Sequence, residues 1–176
     1  MLIRRMIYRF RQFRQAHSDV PDSQSLARAE RFLTPDLFAL FSQMLPFEQA
    51  HSLRVYEGIQ GEGFTQTDLL TAALLHDVGK VRVPLRPWQR AVAVLLKKFA
   101  PSDYQRIGDA AIPNRWNAGV VVAVQHARWG AEMAAQAGAS PLAVDLILHH
   151  QDDDISGLSE TIQTFLRLLK QMDEKN

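Results

Sequence analysis

Five of the six histidines in this 176-residue chain, His51, His76, His126, His149 and His150, fall on inward-facing or helix-end positions of four separate apolar segments. One imidazole on an apolar face is ordinarily a hydrogen-bonded core residue. Several independent burials need a common partner, and a metal ion is the economical one: neutral imidazole is its commonest side-chain ligand, and a carboxylate such as Asp77 supplies compensating charge. The chain has no cysteine, which excludes disulfides and thiolate sites and leaves His, Asp and Glu as donors. That donor set suits a divalent transition metal: Fe, Mn, Co, Ni or Zn.

The elements that must carry these residues are helical. In "LLTAALLHDVGK", residues 69 to 80, a leucine- and alanine-rich run ends in His76-Asp77 and is released by Gly79, leaving Lys80 free to turn back toward an anion. Proline, glycine, serine and threonine cut the chain into pieces, with Thr34-Pro35 and Ser140-Pro141 reading as an N-cap followed by proline. Helices are predicted over 1–16, 23–33, 35–44, 46–60, 67–77, 87–99, 118–137, 141–150 and 159–174, with a short helical turn near 102–107. No period-2 pattern persists, so the fold class is all-α. A step of about 100° per residue puts Phe47, His51 and Arg54 on one inward stripe. It sets His126 opposite a polar stripe, His150 beside Leu146 and Ile147, and His149 nearer Asp145. In the last helix Asp173 shares the apolar stripe of Ile162, Phe165, Leu166, Leu169 and Met172, where a carboxylate needs a cation.

With 47% apolar and 22% charged residues the chain is an ordinary globular protein with one well-filled core. Its apolar runs are far shorter than the roughly 20 residues of a membrane span. The N-terminus lacks the pattern of a secretory signal, so a cytoplasmic location is expected. The net charge of +1 conceals an arginine-rich start: Arg4, Arg5, Arg9, Arg11 and Arg14 face no acid within residues 1–18. Ile3, Met6, Ile7, Phe10 and Phe13 recur among them at helical spacing. Residues 1–33 therefore read as a basic amphipathic arm, and 34–176 as the domain proper. The arm suits peripheral contact with an anionic membrane or a protein partner, or docking of its apolar stripe on the domain. No motif for specific nucleic-acid recognition is present.

Five segments, in order, resemble the HD-domain superfamily of metal-dependent phosphohydrolases, especially its HDIG and HD-GYP branches. "HSLRV" (51–55) resembles the first-histidine helix, "LLHDVGK" (74–80) the HD signature, and "HARWGAEM" (126–133) the His-x-x-x-Gly helix. "LILHHQ" (146–151) resembles the paired-histidine element, and "LLKQMDEKN" (168–176) the closing helix with its aspartate. The resemblance implies a single helical bundle that holds two metal ions. It places one on His51, His76, Asp77 and Asp173, and the second on Asp77, His126, His149 and His150, with Asp77 shared. It also implies hydrolysis of a phosphomonoester or phosphodiester by a metal-bridging hydroxide. Lys80 and Arg54 would then act with Asp77 as catalytic residues, adding positive charge for the phosphate of a phosphorylated small molecule or nucleotide.

One departure from the HD-GYP pattern matters: "HHQDDDISGL" runs from Asp154 almost directly to Gly157-Leu158, without a Gly-Tyr-Pro segment. A general phosphohydrolase is therefore the expectation, not cyclic di-GMP hydrolysis. The alternative is a metal- and nucleotide-binding sensor with little turnover. The segment "PLRPWQRAVAVLLKKFA" (84–100) matches none of the motifs and is free to shape the pocket or a partner surface.

Overall fold

Prolines and small polar residues start most of the helices, as the sequence spacing suggests. A computed structural model describes residues 19–110 and 112–176, in which nine α-helices and one 3-10 turn occur and no strand. In chain order these are α1 (Ser23–Phe32), α2 (Pro35–Phe41), α3 (Pro46–Gly61), α4 (Thr67–Leu75), the 3-10 turn Val78–Arg82, α5 (Pro87–Phe99), α6 (Pro101–Ala110), α7 (Ala118–Gln136), α8 (Pro141–His149) and α9 (Glu160–Lys175). The protein is all-α. Thr34 caps α2 by accepting from the Leu37 amide, and Ser140 caps α8 by accepting from Ala143, each with proline at the next position. Among the described residues no helix is long and apolar enough to cross a membrane.

The centre is α4, whose Leu69, Leu70, Ala72, Ala73, Leu74 and Leu75 are all buried, so beyond Asp68 this helix has no solvent face. Packed around it, α3, α8 and α9 contribute Val55 and Ile59, Leu146 and Ile147, and Leu166 and Leu169 to the same core. The expected arm over 1–33 lies outside the described residues as far as position 18. Its later part packs on the body: Ala29 of α1 and the following Leu33 belong to the main core. A second, smaller cluster seats the α5–α6 hairpin on α7 through Ala93, Tyr104 and Val120.

Three segments differ from the sequence reading by more than one residue. The turn expected near 102–107 is a full helix, α6, because Tyr104 and Ile107 gain partners on α5 and α7 that local propensity does not reveal. The segment 35–44 is helical only to Phe41 and then turns. The segment 67–77 is helical only to Leu75: Asp77 takes φ −96° and ψ 0°, and the chain tightens into the 3-10 turn. In a 3-10 turn residues three apart eclipse. Asp77 and Lys80 therefore emerge on one side, with the Lys80 amide donating to the Asp77 carbonyl at 3.0 Å.

Gly79 makes that turn fit. A Cβ at this position would lie 2.0 Å from the carbonyl oxygen of His126 and 2.6 Å from the amide nitrogen of Gly130, so the 3-10 turn rests on the α7 backbone. Gly130 meets Gly79 from the other side, its own Cβ site 3.1 Å from the Gly79 nitrogen. Gly58 plays a similar part between α3 and α9, where a Cβ would sit 3.0 Å from Met172 Sδ. Gly79→Ala should destabilise the fold by about 1–3 kcal/mol or more, because the obstacle is backbone and cannot rotate away. Gly157→Ala, with nothing within 4 Å of its Cβ site, should change stability by about 0.5 kcal/mol or less. Paired urea melts of the two variants check the difference.

Candidate metal centre

The histidine rings are fixed by the backbone that carries them. His76 Nδ1 lies 3.0 Å from the Ala73 carbonyl, His126 Nδ1 2.9 Å from the Val122 carbonyl, and His150 Nδ1 2.7 Å from the Ile147 carbonyl. A carbonyl can only accept, so each Nδ1 carries the proton and donates. The neutral tautomer then leaves a lone pair on every Nε2, the arrangement that orients a histidine toward a metal. His76 Nε2 and His126 Nε2 are buried and have no hydrogen-bond partner.

Those nitrogens converge on Asp77. Its Oδ1 is 3.2 Å from His126 Nε2 and its Oδ2 is 3.7 Å from His76 Nε2, so the two carboxylate oxygens address two different imidazoles. The His76 and His150 rings, and the His126 and His150 rings, are 5.3 Å apart between centroids, and His51 is 5.4 Å from His76. Two triads able to hold a metal result: His51, His76 and Asp77, and Asp77, His126 and His150, the ligand atoms within each lying within 4.8 Å of one another. Asp173 from α9 joins the first, its Oδ1 2.7 Å from His51 Nε2 and 3.6 Å from His76 Nε2.

His149 is not brought into the cluster. Its Nδ1 pairs with Asp152 Oδ2 at 2.6 Å, on the more exposed side of the turn after α8. Neighbouring residues near a helix end differ by about 100° in direction, and here His150 turns inward while His149 turns to Asp152. Arg54, expected to face inward, is half-buried on the cleft wall, where its Nη1 donates to Asp19 Oδ2 at 3.0 Å. Lys80 contacts Asp77 Oδ2 directly.

Charge accumulates accordingly. Burial opposes ionisation of Asp77, yet Lys80, His76 and His126 together hold its carboxyl well below the usual range. Burial likewise works against Asp173, and the hydrogen bond from His51 and the nearby His76 outweigh it and depress its pKa. His76 is raised despite complete burial, because Asp77 and Asp173 face it. His150 is pushed down to about 3, first by burial and then by the neighbouring His76 and His126. His150 therefore stays neutral, as a ligand must.

The cluster opens into a cleft of about 260 Å³, lined by His51, Arg54, Asp77, Lys80, His150 and Asp173. It also includes residues the sequence reading missed. Arg90 of α5 donates from Nη2 to the buried Glu48 of α3 at 2.9 Å and lies 5.2 Å from the Phe47 ring centre. Phe47 was on the right stripe. Arg90 carried no signal except its place in the unmatched segment 84–100.

The donor set fits a divalent metal, because two buried lone pairs directed at a carboxylate repel it unless a cation intervenes. An all-α bundle whose inner helix ends present histidines and aspartates in this way defines a class of metal-binding protein. Residues 49–175 match the family model for the HD domain, and the chain belongs to that family, whose members are in general metal-dependent hydrolases. No curated protein and no solved structure matches the chain.

Protein purified without chelator is expected to carry about one to two equivalents of transition metal per chain, measured by plasma emission spectrometry, and to lose thermal stability on chelation. His126→Ala should lower the metal content and His149→Ala should leave it near wild type. Asp173→Ala should lower it too, whereas Asp154→Ala, at an exposed residue bonded to Ser156, should not.

Proposed function

We propose that the protein is a metal-dependent phosphohydrolase that cleaves a phosphomonoester or phosphodiester, with a nucleotide as the favoured substrate type. The observation that carries this reading is the shared carboxylate: Asp77 turns one oxygen to His126 and the other to His76. His51, His76, Asp77 and Asp173 would hold one divalent ion, and Asp77, His126 and His150 a second. Such a pair supplies an activated water as nucleophile and offsets charge developing on the phosphoryl oxygens.

The chain's own groups do the rest. Lys80 stands at the cleft with its ammonium against Asp77, close enough to exchange that contact for a phosphate oxygen. Arg54 presents a second cation from α3, steadied by Asp19. Arg90 is stacked near Phe47 and held by Glu48, which leaves other guanidinium donors for a further anionic group of the substrate. Three cations around a cleft open to solvent favour a substrate with more than one negative charge, as a nucleotide has.

A metal-reconstituted screen across phosphomonoesters, nucleotides and cyclic dinucleotides tests the reading. Turnover is expected in at least one class and should fall to background in Asp77→Ala, which removes the one ligand common to both ions. Lys80→Ala should keep its metal and lose about 10²–10³-fold in kcat/KM. Loss of metal in Lys80→Ala equal to that in Asp77→Ala would refute the role given to the lysine.

A further inference from the structure

The outer face of α5 is apolar where a solvent-facing helix is normally polar. Trp88, Leu95 and Phe99 recur at the seven- and four-residue spacing of one helix face, away from the buried Gln89 and Ala93. Leu95 is 55% exposed and Phe99 74%, with Val94 beside them at 64%. Beyond α6, Trp116 is 75% exposed and sets its ring edge-on to Trp88 at 6.1 Å, and Ile112 is 88% exposed. Among the described residues, the only other large apolar side chains so exposed are Val20 and Leu45. Concentration of such side chains in one patch marks an interaction surface.

Charge identifies what the patch meets. Residues 86–116 hold six Lys and Arg against two Asp, a balance of +4, whereas 19–85 and 117–176 together hold nine against seventeen, a balance of −8. Cations border the apolar residues directly: Lys98 Nζ lies 5.4 Å from the Phe99 ring centre, and the Arg115 guanidinium 5.6 Å from that of Trp116. Residues 1–18 carry five arginines and no acid, so they share the sign of the patch and are repelled from it at long range. A second copy would likewise set +4 against +4. Tryptophan and phenylalanine ringed by lysine and arginine suit the boundary between acyl chains and anionic headgroups, where the rings bury and the cations reach up to phosphate.

We infer that the outer face of the α5–α6 hairpin, through Trp88, Leu95, Phe99 and Trp116, docks the protein on an anionic phospholipid surface. The inference stands apart from the reading of the metal centre, since none of these residues is a ligand. It also gives the segment 84–100 two sides: Arg90 toward the cleft, and the apolar face outward.

Full-length protein should co-sediment with vesicles of phosphatidylglycerol and phosphatidylcholine and not with phosphatidylcholine alone, and the binding should weaken as salt is raised. Brominated lipid should quench the exposed tryptophans, while Trp129, only 6% exposed, stays protected. Leu95→Glu/Phe99→Glu changes two exposed positions, so circular dichroism and melting temperature should hold while vesicle affinity falls at least ~10-fold. Substituting Arg4, Arg5 and Arg9 by Glu should leave the tryptophan quenching in place at saturating lipid. Absence of vesicle binding would overturn the inference, as would binding without quenching or binding unchanged in the hairpin variant. A dimer in free solution that the hairpin substitutions disperse would overturn it too, by making a second copy the occupant.

Discussion

Two buried imidazole nitrogens, His76 Nε2 and His126 Nε2, face the carboxylate of Asp77, and neither has a hydrogen-bond partner. Everything around the site follows from how that arrangement is kept. The backbone carbonyls of Ala73, Val122 and Ile147 each take a ring proton, which commits the opposite nitrogens to the cavity. An unpaired polar atom inside a protein costs about 1–3 kcal/mol, so a fold that repeats this around one carboxylate is shaped for something that binds there. A divalent cation satisfies the lone pairs and the carboxylate charge together.

Holding the arrangement requires unlike elements to meet within a few ångströms. From Leu69 to Leu75 the helix α4 is buried on every side, and its ligands come from its C-terminal end. The 3-10 turn then folds Lys80 back over Asp77. Glycine at 79 lets that turn lie against the carbonyl of His126, which couples the position of one ligand to the backbone of another. On the far side, the close approach of α3 and α9 at Gly58 and Met172 brings Asp173 to His51 across 122 residues of sequence. The two triads are therefore a property of the whole bundle.

Much of this could be read from residue types and spacing. The all-α class, most helix starts, the burial of His76, His126 and His150, and the place of Asp173 on the apolar stripe of the last helix follow from periodicity and capping. Where the reading fell short, the cause was tertiary. Helical period alone cannot say that α4 stops at Leu75, because the tightening depends on contact with α7. It sets His150 inward and His149 nearer Asp145, whereas the turn after α8 pairs His149 with Asp152. The cleft position of Arg90 and the helix α6 depend on partners distant in sequence, to which no local pattern points.

Metal ligation by the lone pairs around Asp77 is what the rest of the site depends on. Anomalous diffraction at the metal absorption edge, from crystals grown without chelator, tests it most directly. Anomalous peaks flanking Asp77, one beside His51 and His76 and the other beside His126 and His150, are the expected result. Featureless anomalous density there, with water or protein atoms hydrogen-bonded to His76 Nε2 and His126 Nε2, would contradict the account.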